Sequence, residues 1–142
     1  MRTISDSLQA LVKWDNSNKT ASVFKPNVHM FVAEGISNDY SVKTPFGVVK
    51  QGATIDFVVF PQVDNLQTTI TSMKISIESP SGSNVVTPFE KSMYGHKDSF
   101  WHPYKFTNVT FSESGIYTVK LSMQLEEGGE YQIVSEKQIV SK

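Results

Sequence analysis

At 142 residues, 39% of them hydrophobic, the chain suits one domain, or one domain with an extension, and can bury a working core without crosslinks. Thirteen Lys+Arg against fourteen Asp+Glu give a net charge of -1, so no global field draws it to nucleic acid or to an anionic membrane, and neither is expected as a partner. The absence of cysteine excludes disulfides, thiolate catalysis and cysteine zinc sites together, and no apolar run is long enough for a signal segment or a membrane span, so a soluble, cytoplasmic protein is expected.

In chain order, Ile4, Leu8, Leu11 and Val12 fall at i, i+4, i+7 and i+8, one face of a helix that Ser5 or Asp6 can cap. So short a helix is not stable alone in water, and its apolar stripe must dock on its own domain or on a second subunit. "DNSNKT", residues 15–20, is polar and turn-rich and reads as a linker. An N-terminal extension over residues 1–20 is therefore predicted ahead of a domain spanning 21–142.

From Ala21 onward the helical period gives way to strand-like runs. "SVFKPNVHMFVAEG" is a strand interrupted by Pro26, which fits an edge or a strand start. "FGVVKQGATIDFVVF" holds two β-rich pieces hinged at Gln51-Gly52, and "TSMKISIESPSG" sets Met73, Ile75 and Ile77 inward against Lys74, Ser76 and Glu78. In "YKFTNVTF", Tyr104, Phe106 and Asn108 share one face, while Val109 and Phe111 leave the register open. "IYTVKLSMQL" and "YQIVSEKQIV" follow, joined by a Gly-containing hairpin turn in "EEGGE". Short strands separated by turn signals predict an all-β sandwich or barrel.

The stretch "YKFTNVTFSESGIYTV" resembles the E strand, E–F corner and F strand of immunoglobulin-superfamily domains. Glu113, Gly115 and Tyr117 stand at the acid, glycine and tyrosine positions, and Val119 stands where that family has cysteine. "QGATIDFVV" resembles the family's B strand through Gly52, Ile55 and Phe57, with Val59 at the second cysteine position. A looser similarity is to uncharacterised bacterial single-domain β-sandwiches. The resemblance covers residues 45–140 and implies an immunoglobulin-like antiparallel β-sandwich, here with a short N-terminal helical extension. Within it, two facing valines replace the inter-sheet bridge by apolar packing, forgoing a restraint worth about 2–4 kcal/mol. The resemblance also implies that Tyr117 is a structural corner residue whose hydroxyl bonds nearby backbone. The family's core tryptophan on strand C has no counterpart, and Met73 or Ile75 must fill its space.

One segment departs from scaffold composition. "PFEKSMYGHKDSFWHPY", residues 88–104, holds Phe89, Tyr94, Phe100, Trp101 and Tyr104, a density well above the 11% aromatic content of the chain. Gly95 and two prolines predict an irregular loop or bent edge, and loops with Trp and Tyr are favoured binding anchors. The expected binding residues are Tyr94, His96, Phe100, Trp101, His102 and Tyr104; the competing reading has Phe100, Trp101 and Tyr104 begin a strand and fill the sandwich end.

His96, Asp98 and His102, with His29 from elsewhere, match no compact metal motif, and Glu126, Glu127 and Glu130 read as a solvated hairpin tip. "SPSGSN" lacks the lysine and helix of a phosphate loop, and no nucleophile elbow is present. No metal, cofactor or catalytic residue is therefore expected. The function expected is a non-catalytic module presenting the 88–104 segment to a protein partner, as an inhibitor or adaptor by analogy with phage-encoded or accessory bacterial proteins. Carbohydrate binding is the second expectation. The third is a structural subunit of a virion or surface assembly, with self-association through the N-terminal helix or through edge strands such as 21–35.

Overall fold

The computed structural model describes residues 8–39, 41–96 and 98–142, except the side chains of Gly95 and His96, and most of these residues lie in strands. Among the described residues twelve strands follow one another: β1 (Leu11–Asp15), β2 (Thr20–Phe24), β3 (Asn27–Ile36), β4 (Val42–Pro45), β5 (Val48–Val49), β6 (Thr54–Asp64), β7 (Ile70–Glu78), β8 (Phe89–His96), β9 (Phe100–Trp101), β10 (Tyr104–Thr110), β11 (Gly115–Gln124) and β12 (Tyr131–Ser141). The first sheet runs β10-β6-β3-β4, with β9 also on β6, and the second runs β5-β12-β11-β7-β8. Pairing is antiparallel throughout except between β5 and β12, which are parallel. Among the described residues no helix is long and apolar enough to cross a membrane.

The core is the layer between the sheets. Phe57, Val59, Val63 and Phe106 enter it from the first sheet, and Met73, Ile75, Ile77, Tyr117, Val119, Leu121 and Ile139 from the second. Met73, Ile75 and Ile77 face inward as their alternation predicts. Met73 and Ile75 are both fully buried, as the missing tryptophan requires. Val59 and Val119, at the two cysteine positions, lie in opposite sheets and are both fully buried in this one core.

The open register of β10 is resolved by a bulge between Phe106 and Val109. Asn108 takes a φ of 54° there and donates its backbone N–H to the Asp56 carboxylate at 2.8 Å. The extra residue turns Val109 inward and leaves Asn108 in solvent, so the predicted grouping of Asn108 with Phe106 does not hold. Gly52, at φ 86°, forms the predicted hinge between β5 and β6, and its N–H donates to the Phe111 carbonyl at 2.7 Å. Pro61 lies level with His102, whose N–H donates to the Pro61 carbonyl at 3.3 Å, and Pro103 lies one step further along, level with Phe60. The missing donors therefore coincide with the break between β9 and β10.

The N-terminal helical stripe is corrected in part. Ile4 lies outside the described residues and Leu8 is helical, but Leu11 and Val12 belong to β1, paired with Phe24 and Val23 of β2. Residues 15–20, read as a linker, close this hairpin: the Asp15 carboxylate accepts from the Ser17 N–H at 3.0 Å and the Ser17 hydroxyl at 2.7 Å. The physical cause is tertiary. The Gln132 side-chain amide of β12 acts as a substitute strand, accepting from the Val12 N–H at 2.8 Å and donating to the Val12 carbonyl at 3.2 Å, while Leu11 is buried in the core.

Candidate functional site

The segment 88–104 is not one loop. It forms β8, the outer strand of the second sheet, then crosses to the first sheet as β9 and β10. Its aromatic residues consequently enter three separate environments.

Tyr94 on β8 is strongly exposed on the outer face of the second sheet, where a hydrogen bond to Glu127, reinforced by that carboxylate's charge, raises its pKa. Phe100, expected as a binding residue, pairs with Val63 and is buried toward the core, since strand alternation sends it inward and its neighbour out. That neighbour, Trp101, is 49% exposed. His102 and Tyr104 close the gap between the sheet edges, with ring centroids 5.6 Å and 3.9 Å from Phe89 of β8; Tyr104 also meets Phe106 edge-on at 4.8 Å. The His96 side chain lies outside the described residues. Of the possible metal set, His29 lies on β3 and His102 in this edge cluster, so the fold separates them.

Burial, with the charge of Lys91 second, lowers the His102 pKa below its ordinary 6.5. The unfolded chain then protonates this histidine before the folded one does. Stability present above pH 6.5 is thus lost as pH falls through 6.5 toward the folded value. Asp15 and Asp39, whose pKa values are lowered chiefly by Ser17 and Ser37 hydrogen bonds, act in a different window, below pH 3.8. Wild-type protein should therefore melt at lower temperature at pH 5.5 than at pH 7.5, and His102→Phe should shrink that difference. An undiminished difference in the variant would remove His102 as its source.

Trp101 has company that the sequence reading missed. Its ring lies nearly parallel to that of Phe60, at 15° and 6.0 Å between centroids. Phe60 in turn stands opposite Phe31 across β6 and β3. The three rings form a row across the outer face of the first sheet, with Phe31 43% exposed. His29 and Gln62, opposite one another in the register and both exposed, lie beside the row, and Gln62 is also the cross-strand partner of Trp101. Next to it an open groove of about 250 Å³ is floored by Val58 and bordered by Glu34, Ile36, Pro103 and Lys105. One signal in the sequence points here: once Val59 is placed inward, Phe60 must face outward.

The outer face of the second sheet is different. Its polar side chains bond one another: Lys120 to Glu78 at 2.6 Å, Tyr131 hydroxyl to Ser72 hydroxyl at 2.8 Å, and Lys74 over the Tyr131 ring at 4.4 Å. The aromatic row is thus confined to one side of the molecule.

The strand order, the parallel outer strand β5 and the corner define the class of the protein. At the corner the Tyr117 hydroxyl accepts the Glu113 N–H at 3.0 Å, as the resemblance implies, and its ring packs on Phe111 at 4.8 Å. The chain is an immunoglobulin-like, cysteine-less antiparallel β-sandwich. No family model matches the chain, and no curated protein does. Among solved structures it is similar to an immunoglobulin-like protein from Pseudomonas aeruginosa, at 14% identity over 94% of this chain and 98% of that one, with a TM-score of 0.44. It is also similar to a CARDB domain from Pyrococcus furiosus, solved in complex with di-metal ions, at 12% identity over 92% and 99% of the two chains and a TM-score of 0.40. A solution structure of that CARDB domain aligns at 11% identity over 83% and 96%, with a TM-score of 0.39.

Proposed function

We propose that this chain is a non-catalytic interaction module that engages another protein through the outer face of its first sheet, acting as an inhibitor or adaptor by covering its partner's surface. The observation that carries the reading is the row Phe31, Phe60 and Trp101, brought onto one face from three strands. Aromatic centres with a polar rim are the usual composition of protein hot spots, and His29, Gln62, Glu34 and Lys105 supply the rim. Of the residues expected from sequence, Trp101 is the anchor and Tyr94, on the opposite sheet, becomes the control.

The test compares wild type, Trp101→Ala and Tyr94→Ala as immobilised baits, after circular dichroism shows that all three are folded. Trp101→Ala should weaken capture of the partner by about 30-fold, the effect of a hot spot worth about 2 kcal/mol, and Tyr94→Ala should not. Equal capture by wild type and Trp101→Ala would end this reading.

A second reading, carbohydrate binding, is favoured by the near-parallel Phe60 and Trp101 rings, on which a sugar ring can stack while the Gln62 amide and His29 imidazole take its hydroxyls. The chain has two tryptophans, so Trp14→Phe leaves Trp101 as the sole indole reporter. Quenching of its emission by soluble polysaccharides, with no protein captured, would favour this second reading over the first.

A further inference from the structure

The outer strands of the sandwich are guarded against pairing with other chains. β4 carries Lys43 and Pro45, β8 carries Glu90 and Lys91, β5 is two residues long and followed by Lys50, and the β9–β10 edge is broken at Pro103. Charges, prolines and short length are the known devices that blunt a sheet edge. Within β2 there is neither charge nor proline; Lys19 and Lys25-Pro26 stand just outside it. Its sequence, Thr-Ala-Ser-Val-Phe, is uncharged and β-prone, and among the described residues it pairs only with β1. β1 is itself held against β12 by Gln132, so β2 is the outward strand of the hairpin.

We propose that β2 is a self-association edge, on which a second copy of this chain adds its own β2 antiparallel about a twofold axis at Ser22. This register overlaps the two five-residue strands completely. It sets Ala21 opposite the second copy's Val23 and Val23 opposite its Ala21. Trp14 is the partner of Ala21 within the hairpin, so one face of the joined four-stranded sheet becomes a continuous apolar row. Today that face leaves Val23 55% and Trp14 47% exposed. The opposite face brings Ser22 to Ser22 and keeps the two Lys13 side chains about three strand spacings apart, roughly 14 Å, beyond the screening length at physiological salt. Just outside the paired strands Lys19 faces the second copy's Lys25 at both ends. These like charges limit the pairing to five residues and make association stronger as salt rises. The contact is isologous, so it closes as a dimer and does not propagate. It uses none of Phe31, Phe60 and Trp101, and it stands whether or not that face binds a partner.

Sedimentation of the full chain over a concentration series should show a monomer–dimer equilibrium that shifts toward dimer with added sodium chloride. Val23→Lys, at an exposed position and so expected to fold, should be monomeric throughout, while Val48→Lys on the outer strand β5 should dimerise as wild type does. The chain has no cysteine, so Ser22→Cys introduces a lone thiol on the proposed axis. Directly opposed strand residues lie about 4.5–5.5 Å apart, within disulfide reach, and mild oxidation should give a covalent dimer. Val48→Cys should not crosslink. A monomer at every concentration, a Val23→Lys variant as dimeric as wild type, or no Ser22→Cys crosslink would each overturn the proposal.

Discussion

A chain carrying Val59→Cys together with Val119→Cys should close an intramolecular disulfide on oxidation and melt on the order of 10 °C or more above its reduced form. The two positions lie on β6 and β11, in opposite sheets, and both side chains are fully buried in the shared core. The bridge would close a loop of about 60 residues, and loss of that much freedom from the unfolded chain stabilises by about 4 kcal/mol. Valine and cysteine are close enough in size for each replacement alone to be mild. The check has two parts: intact mass must fall by two hydrogens, and the gain in melting temperature must vanish under reductant. Two thiols that stay unpaired under oxidant would show that the valines do not face each other as the bridging cysteines of the family do.

Phe57→Ala is expected to have an effect of similar size and opposite sign. Phe57 is fully buried at the meeting point of three other rings, with centroids 5.8 Å from Phe46, 5.9 Å from Phe106 and 6.0 Å from Phe111. Those partners belong to the β4–β5 turn, to β10 and to the corner, so removal of the ring loosens three parts of the sandwich at once. Truncating such a phenylalanine costs about 3–5 kcal/mol, a large share of the roughly 5–15 kcal/mol that holds a domain folded. Denaturant unfolding should show the midpoint falling with the slope unchanged. Phe31→Ala, on the exposed outer face, serves as the control and should leave the midpoint nearly in place. A loss of under about 1 kcal/mol for Phe57→Ala would mean that the neighbouring rings collapse into the space.

The strands that were legible in the sequence are those whose side chains alternate between a wet face and a dry one. β7 announces itself through Met73, Ile75 and Ile77, and the corner through Glu113, Gly115 and Tyr117, because both patterns are local. The N-terminal hairpin was not legible, since Leu11 and Val12 satisfy a helical stripe as well as a strand. What decides between them is the amide of Gln132, 120 residues away. The bulge at Asn108 depends likewise on Asp56 of the neighbouring strand. The candidate face was half legible. Trp101 stood out by composition, but Phe31 and Phe60 become its neighbours only through the order β9, β6, β3, which no local pattern states. Treating residues 88–104 as one loop also grouped side chains that the crossover between sheets parts: Phe100 to the core, Tyr94 to the far face, and His102 and Tyr104 to the edge.

The parallel pairing of β5 with β12 also governs how the sandwich answers a mechanical pull. Tension between the chain entering β5 and the chain leaving β12 runs along the two strands in opposite senses. It loads the Val140 N–H to Gly47 carbonyl bond at 2.8 Å, the Lys142 N–H to Val49 carbonyl bond at 3.1 Å and the Gln51 N–H to Lys142 carbonyl bond at 3.2 Å together. All three must slide at once before the edge yields. The β1–β2 hairpin, pulled open from its base, gives way one rung at a time. The same molecule thus carries a shear clamp at one edge and a zipper at another, and a load applied between residues 46 and 142 meets the clamp.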